Sequence, residues 1–519
     1  MFNIIENISA EHGHLQPPIV KLVDGVGSGK TFALFNLLQN GDKDLVIYSA
    51  PTTKLLEEVH KQYSSAFDFP VVTVTDQHVG RHDSVIDVLF NTIKEQTALV
   101  QSGIKSKALI LTTHHSVLNL LLHIEKTQAS NMELSVLKDW ELYQDEEGPI
   151  VDVQTFRVNE ASSLDIYADL LQFNEHEPTT IRPDARKIVN DILNHQATDE
   201  YTSTRLFNIV QGTSSDLFDV YASNPAGKTT LSCVRVLKPQ LFSLFKSFTI
   251  MCACFDQTIT HAVWSKQNTP FVADTEIKQW SDQHRITPAD KSNRITFYSA
   301  MPDGVDASGA KLKQAETFDS VINGIRNLFE NERYLLSIND VLKTEKYQPT
   351  DALKTMLRED DVEVLPAVVS GLNNWQDYDN IACIRITQPS DDDLRPVALA
   401  TGLEFVELRR IYRFHSVYQT IGRCSIRNTS SDTDVKVVVP DTMAVEMLVQ
   451  VFPDASFGGC LDTIVTTGSA SPRVRPLDVS PKQWENIRGS IKRTRAKIAN
   501  GGKPTRSQQE KLDTYGHLI

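Results

Sequence analysis

Apolar residues in the first part of the chain fall either into short runs or into helical spacing, which predicts strands separated by helices. The predicted strands are Ile19–Val23, Leu45–Ser49, Val71–Thr75 and Ala108–Leu111. Between them, the stretch Thr31–Asn40 and the stretch that ends at Tyr63 have the spacing of helices. Because strands that alternate with helices form parallel sheets covered on both faces, this part of the chain predicts an α/β domain.

A second block of the same kind begins near Arg294. Its predicted strands are Arg294–Ser299, Tyr334–Ser337, Val362–Val369, Asn380–Ile386 and Val435–Val439. Between the blocks, a polar, acidic and partly helical stretch at about 155–230 is predicted to be an insertion, after which strand-like residues return at Phe248–Cys254. The predicted domains are therefore 1–290 with this insertion, 291–470, and a C-terminal segment, 471–519.

The composition is that of a globular protein without a membrane segment. The chain has 519 residues, 40% of them hydrophobic and 23% charged, which is ordinary for a protein of several soluble domains. No apolar run approaches the roughly 20 residues needed to cross a bilayer, and the start has no secretory pattern. Six cysteines without a CxxC pair indicate reduced thiols in a cytoplasmic compartment.

The net charge is −14, yet residues 473–511 hold eleven Lys and Arg against three Asp and Glu. A helix is predicted from Pro481, with Ser480 as its cap, to about Asn500. Its candidate nucleic-acid-binding residues are Lys492, Arg493, Arg495 and Lys497. A basic helix attracts the phosphate backbone, although a solvated basic tail explains the same composition.

The run Gly25-Val26-Gly27-Ser28-Gly29-Lys30-Thr31 lies between a predicted strand and a predicted helix, as in a phosphate-binding loop. Glycines let backbone N–H groups converge on phosphate oxygens where a Cβ atom would intrude. In such a loop Lys30 binds the β- and γ-phosphates and Thr31 binds Mg²⁺. The expected ATP-binding residues here are Gly25, Gly27, Ser28, Gly29, Lys30 and Thr31. Asp24 stands where the usual pattern has Gly or Ala, and an acid there repels phosphate unless it points away.

The segment from Gln419 to Arg427, Q-T-I-G-R-C-S-I-R, resembles motif VI, Q-x-x-G-R-x-x-R, of the superfamily 2 helicases. In that family the glutamine and arginines belong to the second of two RecA-like domains and reach the γ-phosphate held by the first. The resemblance implies catalytic roles for Gln419, Arg423 and Arg427. The pattern expects its last arginine at Ile426, one position before Arg427, so Arg423 is the stronger candidate for an arginine finger.

Two strand ends resemble motifs with which these helicases hold the nucleic-acid backbone through hydroxyl and amide groups. Ala50-Pro51-Thr52-Thr53 resembles motif Ia, and Thr112-Thr113-His114 resembles a later strand end of the family. The resemblance implies nucleic-acid contacts for Pro51, Thr52, Thr112 and Thr113. An ordinary strand-to-helix cap is the alternative interpretation of each.

Motif II of the family is an apolar strand that ends in Asp-Glu, and the best candidate here is Leu142–Gly148. In that role Asp145 binds Mg²⁺ through water and Glu146 polarises the attacking water. Polar residues interrupt the strand, and Gly148 stands where the family has His or Asp. A solvated acidic turn is therefore the alternative.

Motifs V and III are degenerate. Gly371-Leu372-Asn373 resembles motif V with Asn in place of Asp, which implies that Gly371 and Asn373 contact ATP. Motif III has two candidates, Cys252-Ala253-Cys254 and Tyr298-Ser299-Ala300-Met301. The first is favoured because two full RecA-like domains then fit the spacing, with the second candidate at the beginning of the second domain.

The resemblance, which covers about residues 15–445, implies two RecA-like parallel-sheet P-loop domains. An inserted helical segment and a small basic C-terminal helical region complete the expected α/β fold. The implied function is an ATP-dependent helicase or translocase that uses ATP and Mg²⁺ and moves on single-stranded nucleic acid, with DNA favoured over RNA. Its partners would be replication or recombination proteins, and its degenerate motifs are typical of a divergent branch such as those of phages and mobile elements.

Two other functions fit the phosphate-binding loop. One is a P-loop switch or assembly ATPase that acts on protein partners and does not need Gln419 and Arg423 from a second domain. The other is a catalytically weak helicase-like protein that only binds nucleic acid, as Asp24 and the interrupted motif II suggest.

Overall fold

The computed structural model describes residues 18–23, 29–41, 43–78, 84–127, 134–148, 150–157, 169–174, 177–195, 209–210, 212–213, 217–223, 230–284, 287–339, 350–366, 375–387 and 389–466, and in the C-terminal segment 487, 490–491, 493–494, 497–498 and 504–509. Some candidate site residues lie outside the described residues: Gly25, Gly27, Ser28, Gly371, Asn373, Lys492 and Arg495. Asp24 lies outside them as well.

The strands are β1 (Val20–Leu22), β2 (Leu45–Ala50), β3 (Val71–Val74), β4 (Ala108–Thr113), β5 (Glu141–Asp145), β6 (Val151–Arg157), β7 (Leu171–Gln172), β8 (Thr180–Ile181), β9 (Phe218–Ser223), β10 (Thr230–Leu237), β11 (Ser247–Met251), β12 (Phe271–Ala273), β13 (Ile295–Ser299), β14 (Tyr334–Ser337), β15 (Val362–Val364), β16 (Asn380–Cys383), β17 (Val435–Val439) and β18 (Ser456–Cys460).

The α-helices are α1 (Lys30–Asn40), α2 (Thr53–Tyr63), α3 (Val85–Gln101), α4 (His114–Thr127), α5 (Arg186–His195), α6 (Ile259–Lys266), α7 (Thr275–His284), α8 (Gly309–Leu312), α9 (Ala315–Leu328), α10 (Asp351–Glu359), α11 (Asp391–Thr401), α12 (Phe405–Ile421) and α13 (Thr442–Val451). Within the described part of the chain, no helix is both long and apolar enough to cross a membrane.

The first sheet has the strand order β12-β1-β11-β5-β2-β4-β3, and its neighbouring strands are parallel. Alternate residues of its strands enter different cores, as the two-residue period of a strand requires. Val46 and Tyr48 pack in the core of α1 and α2, whereas Ile47 packs in the core of α3 and α4. Because β11 and β5 lie between β1 and β2, the loops after these four strands are neighbours at the carboxyl edge, where open α/β sheets bind ligands.

The second sheet has the order β15-β14-β16-β17-β13-β18 and is also parallel. Helices α12 and α13 cover one face, and α9 and α10 cover the other. The α/β prediction with two parallel sheets is therefore confirmed. Since β13 belongs to the second sheet and β11 to the first, the structure places Ser299-Ala300-Met301 in the second domain and Cys252 at the end of a first-domain strand.

The insertion contains more strand than the sequence predicts. Strands β6, β10 and β9 form an antiparallel sheet, and β7 pairs with β8. This sheet extends beyond the predicted bounds of about 155–230 at both ends. It pairs β6 with β10, which is distant in sequence, and such long-range pairing leaves no local periodicity. Leu394, Val397 and Ala400 of α11 share a hydrophobic core with Val234 and Val236 of β10, so the insertion packs against the second block.

Strand β5 is buried along its whole length although it is rich in polar residues. Glu141 Oε2 lies 3.1 Å from Lys43 Nζ and accepts a 3.0 Å hydrogen bond from the Tyr143 hydroxyl. Glu141 Oε1 lies 3.2 Å from Lys246 Nζ. Although burial raises the pKa of Glu141, the charges of Lys43 and Lys246 outweigh it and hold the pKa below its usual value. Paired polar groups tolerate burial, and this pairing makes the interrupted pattern of β5 compatible with a central strand.

We expect Glu141→Gln to lower the free energy of unfolding by about 2 kcal/mol at pH 7, because it leaves two lysines beside a neutral partner. The folded pKa of Glu141 is depressed, so its stabilisation is present above the unfolded pKa of about 4.3 and is lost as the pH falls through the folded value. Urea unfolding of both proteins at pH 7 and near pH 3 measures the difference.

The matched control is Asp282→Asn, which removes the partner of Lys278 from an ion pair whose side chains are 61% and 60% exposed. We expect this change to cost under about 0.5 kcal/mol. A loss for Glu141→Gln that stays constant down to pH 3 would contradict the interpretation.

Candidate active site

The loop after β1 leads into α1 through a left-handed glycine. Gly29 has φ 73° and ψ 27°, and α1 begins at Lys30. A side chain at Gly29 would be strained, because the left-handed region favours glycine. Lys30 is buried and Thr31 is half-buried. The first N–H groups of a helix have no acceptor within it, so the beginning of α1 is suited to an anion.

Tyr48, in the middle of β2, connects the two predicted Mg²⁺ ligands. Its hydroxyl donates a 2.7 Å hydrogen bond to Asp145 Oδ2 and is also hydrogen-bonded to the side chain of Thr31. Burial, followed by the charge of Glu146, raises the pKa of Asp145 above its ordinary value. A buried carboxylate next to a hydroxyl supplies the oxygen ligands that Mg²⁺ prefers, so Thr31 and Asp145 fit such an ion.

Glu146 has an uncommon backbone conformation, with φ 68°. Positive φ is unfavourable for residues other than glycine and is found at sites whose surroundings impose it. The backbone N–H of Glu146 donates to the carbonyl of Met251 at 3.3 Å. The chain thus leaves the extended conformation of β5 at Glu146, and the Glu146 side chain reaches α12 of the second domain, where it contacts Gln419.

The next acidic residue has a different role. Glu147 Oε1 accepts a 3.2 Å hydrogen bond from the backbone N–H of Thr260 and a second bond from the Thr260 hydroxyl. Glu147 thus holds the first turn of α6. A Cβ atom at Gly148 would lie 2.5 Å from Nε2 of Gln144, so a larger residue there requires the Gln144 amide to move.

Gln419, in the last turn of α12, reaches across from the second domain to Glu146. Its Nε2 donates a 2.8 Å hydrogen bond to Glu146 Oε2. Arg423 Nη2 lies 3.4 Å from Gln419 Oε1 and donates to it. The structure therefore brings the two distant predicted segments, motif II and motif VI, into direct contact.

Both predicted arginines lie beside the carboxylates, Arg423 buried and Arg427 half-buried. Burial, and then the nearby charge of Arg427, lowers the pKa of Arg423 to about 9, against the opposite effect of Glu146 and Asp145. Burial also lowers the pKa of Arg427, again against Glu146 and Asp145. Arg427 ends a 3₁₀ turn, Ser425–Arg427, that follows α12. The arginine that is one position late in the sequence therefore reaches the same site.

The Cys252-Ala253-Cys254 segment lies at this site, as the favoured motif III interpretation requires. The Cys252 thiol donates to Glu146 Oε2 over 3.9 Å. Burial and the charge of Glu146 raise the pKa of Cys252 well above its ordinary value, so the thiol stays protonated. The segment follows directly after β11, and its Cys252 thiol is a weak hydrogen-bond donor to Glu146.

The strand ends predicted to hold nucleic acid are neighbours, because Ala50 pairs with Thr113 in the sheet. Thr52 caps α2 by accepting a 3.3 Å hydrogen bond from Leu55 N, and Thr113 Oγ1 accepts a 3.1 Å bond from Ser116 N. Pro51 and Thr52 are half-buried, as is Thr113. The predicted nucleic-acid contact of Thr112 is wrong. Its side chain is fully buried and its hydroxyl donates to Val74 O at 2.8 Å, so this side chain cannot contact a ligand.

The described parts of the C-terminal segment near residue 490 are helical. Ile491 and Thr494 are fully buried, whereas Arg493 and Lys497 are exposed. This segment therefore packs on one side and presents charge on the other, which a fully solvated tail would not do.

A cavity of about 780 Å³ lies at the carboxyl end of β1, between the two domains. Leu22 and Val23 of the first domain border it, and Phe414 and Tyr418 of α12 border it from the second. Aromatic walls with a few polar groups are typical of small-molecule sites.

Sequence reasoning missed two residues of the site. Tyr48 lies inside an apolar strand, where a tyrosine predicts only core packing. His114 ends the Thr112-Thr113-His114 strand end, which predicts no role for the imidazole, although both of its ring nitrogens are hydrogen-bonded and burial lowers its pKa to about 4. Neither residue has a local sequence signal, because their partners come from other strands.

We expect Tyr48→Phe to weaken Mg²⁺-dependent binding of ATP about tenfold, as for the loss of other residues that orient metal ligands. Titration of a fluorescent ATP analogue at several Mg²⁺ concentrations measures this. Tyr143→Phe is the control, since Tyr143 pairs with Tyr48 in the sheet but bonds Glu141 instead. Unchanged affinity of Tyr48→Phe at limiting Mg²⁺ would disprove the metal-ligand role of this cluster.

No protein-family model and no curated protein matches the sequence. Among solved structures, the chain is similar to an XPD helicase, with a TM-score of 0.45 and 12% identity over 88% of this chain and 98% of that chain. It is also similar to S. tokodaii Xpd4, with a TM-score of 0.44 and 14% identity over 87% of this chain and 98% of that chain. For S. cerevisiae Dbp5 bound to RNA and ADP BeF3 the TM-score is 0.32, with 11% identity over 88% and 90%. These similarities are too distant to assign a family.

Proposed function

We propose that this chain is an ATPase stimulated by nucleic acid, a helicase or translocase of the superfamily 2 type that hydrolyses ATP between its two domains. The observation that supports this most strongly is the 2.8 Å hydrogen bond from Gln419 to Glu146. It joins the carboxyl edge of the first sheet to the end of α12, so one site is built from both domains.

The first domain supplies the groups that hold the phosphates and activate water. Lys30 binds the β- and γ-phosphates at the beginning of α1, and Thr31 and Asp145 hold Mg²⁺. When bound, Mg²⁺ neutralises part of the phosphate charge. Glu146 orients and polarises the attacking water, a role that suits a carboxylate located where the two domains meet.

The second domain supplies positive charge. The burial of Arg423 beside Arg427 brings two like charges together, which is unfavourable. The negative charge of a nucleoside triphosphate would offset this repulsion. Arginines that reach the γ-phosphate across a cleft stabilise the charge that develops during phosphoryl transfer. A switch or assembly ATPase does not need such groups from a second domain, and this favours the motor over that alternative.

The cavity between the domains is suited to the nucleoside part of ATP. It borders the strand that leads into the loop, and Phe414 and Tyr418 give it aromatic walls. Both domains would then hold the nucleotide at its base as well as at its γ-phosphate.

Nucleic acid would bind along the strand ends next to the ATP site. Pro51, Thr52 and Thr113 lie at this edge, and Arg493 and Lys497 offer exposed charge elsewhere. Contacts of this kind hold the backbone without reading sequence. We propose single-stranded DNA as the preferred substrate, with RNA as the competing one in the test below.

We expect Lys30→Ala to abolish ATP hydrolysis and Arg423→Ala to lower kcat about a thousandfold, the usual effect of removing an arginine finger. ATPase rates with no nucleic acid, with single-stranded DNA and with single-stranded RNA measure this. The control is Arg409→Ala on the same helix, where the arginine makes a surface ion pair of 2.6 Å with Asp391. Hydrolysis retained in Lys30→Ala, or no stimulation of the wild type by either nucleic acid, would refute the proposed function.

A further inference from the structure

His114 lies at the junction of β4 and α4 and is buried, with an exposed fraction of 5%. Its Nε2 lies 2.8 Å from the backbone oxygen of Asp145, and its Nδ1 lies 3.0 Å from Ser49 Oγ. A carbonyl oxygen can only accept a hydrogen bond, so Nε2 carries the proton and Nδ1 is an acceptor. The Ser49 hydroxyl has two acceptors in reach, Nδ1 at 3.0 Å and the Tyr143 carbonyl at 3.4 Å, and donates to the nearer, Nδ1. One imidazole therefore connects the ends of β2, β4 and β5.

The carbonyl that His114 holds belongs to the peptide group between Asp145 and Glu146. The N–H of the same peptide group donates to Met251 O at 3.3 Å. Both polar ends of this peptide are thus fixed, one by β4 and one by β11. The rotation about the next bond, φ of Glu146, is an unfavourable 68°. These two hydrogen bonds fix the peptide before that bond, and Gln144 Nε2 donates to the Glu146 carbonyl after it at 3.4 Å.

The other partner of His114 lies next to the proposed nucleic-acid contacts. Ser49 precedes Ala50, Pro51 and Thr52, and His114 itself follows Thr113. The two strand ends are in register, with Ser49 paired to Thr112. A shift of either strand end when a strand of nucleic acid binds would therefore move the imidazole relative to the Asp145 carbonyl.

We propose that His114 is a positioning residue that couples these two strand ends to the orientation of Glu146. This inference rests on the proposed function, because it assigns to His114 the connection between nucleic-acid binding and ATP hydrolysis. His114 contacts neither ATP nor nucleic acid in this role. It acts through the Asp145–Glu146 peptide, and its effect is on kcat and on stimulation.

Two conservative variants separate the two hydrogen bonds of His114. The amide of His114→Gln reaches the position of Nε2 and can still donate to the Asp145 carbonyl. The shorter amide of His114→Asn reaches the position of Nδ1 and can meet Ser49, but it leaves the carbonyl without this donor. The experiment measures kcat and KM for ATP with and without single-stranded DNA and RNA, with thermal unfolding to confirm that each variant folds.

We expect His114→Asn to lower kcat about tenfold at unchanged KM for ATP, the effect of losing one hydrogen bond to the reacting geometry. His114→Gln should restore most of the rate without nucleic acid, yet its stimulation by nucleic acid should fall at least about threefold. Ser49→Ala should show the same reduced stimulation, and it carries the test if His114→Asn does not fold.

Equal kcat and equal stimulation in the wild type, His114→Gln and Ser49→Ala would overturn the inference while the proposed function stands. A rise in KM without a change in kcat would overturn it as well. A wild-type protein that hydrolyses ATP without any stimulation by nucleic acid would refute the proposed function and this inference together. These results are distinguishable because the first two require a stimulated wild type.

Discussion

Two adjacent carboxylates, the buried Asp145 and the half-buried Glu146, lie at the end of a fully buried strand, and their need for partners constrains most of the site. A buried carboxylate is unfavourable unless it is paired or hydrogen-bonded. Asp145 receives the hydroxyl of Tyr48, and Glu146 receives the amide of Gln419. The partner of Glu146 comes from the second domain, so satisfying this charge also fixes how α12 approaches the first sheet.

The two domains meet through contacts of two kinds. At the site, polar contacts of Gln419, Arg423 and Arg427 with Asp145 and Glu146 adjoin an apolar one, in which Ala253 and Cys254 pack in the core of α12 and α13. At the insertion the contact is apolar, because Leu394 and Val397 of α11 pack in the core of the antiparallel sheet. Apolar contacts are insensitive to the charge of a ligand, whereas polar contacts respond to it. In the proposed function, a bound nucleotide would therefore act on the polar contacts and leave the apolar contact at the insertion unchanged.

Much of the fold could be predicted from local patterns. The strands at 334–337 and 435–439 have the predicted bounds, because an apolar run flanked by polar residues identifies a buried parallel strand. Strand β5 is harder to predict, since its Glu141 is partnered by Lys43 and Lys246 and its Asp145 by Tyr48, all of which come from distant parts of the chain. The antiparallel sheet of the insertion was missed for the same reason.

For the site, sequence could identify the residues whose chemistry defines a motif, but not those that orient them. Lys30 is predicted from residue type and spacing, whereas Glu146, Gln419 and Arg423 are predicted from the resemblance to superfamily 2 helicases, and the sequence alone leaves motif II open. Tyr48 and His114 were not assigned roles, because their importance depends on a neighbour in another strand. The prediction for Thr112 is wrong, because two consecutive threonines give no sign of which one is buried. The structure shows that the Thr112 hydroxyl bonds the Val74 carbonyl of β3.

The shared nucleotide site is tested most directly by a structure of the protein with Mg²⁺ and a non-hydrolysable ATP analogue. We expect the γ-phosphate to lie between Lys30 and the guanidinium of Arg423 or Arg427, with a donor nitrogen about 3 Å from a phosphate oxygen. The nucleoside should occupy the cavity that Phe414 and Tyr418 border. A nucleotide bound at Lys30 with both arginines more than about 6 Å from the γ-phosphate, beyond any direct hydrogen bond, would contradict a site built from both domains.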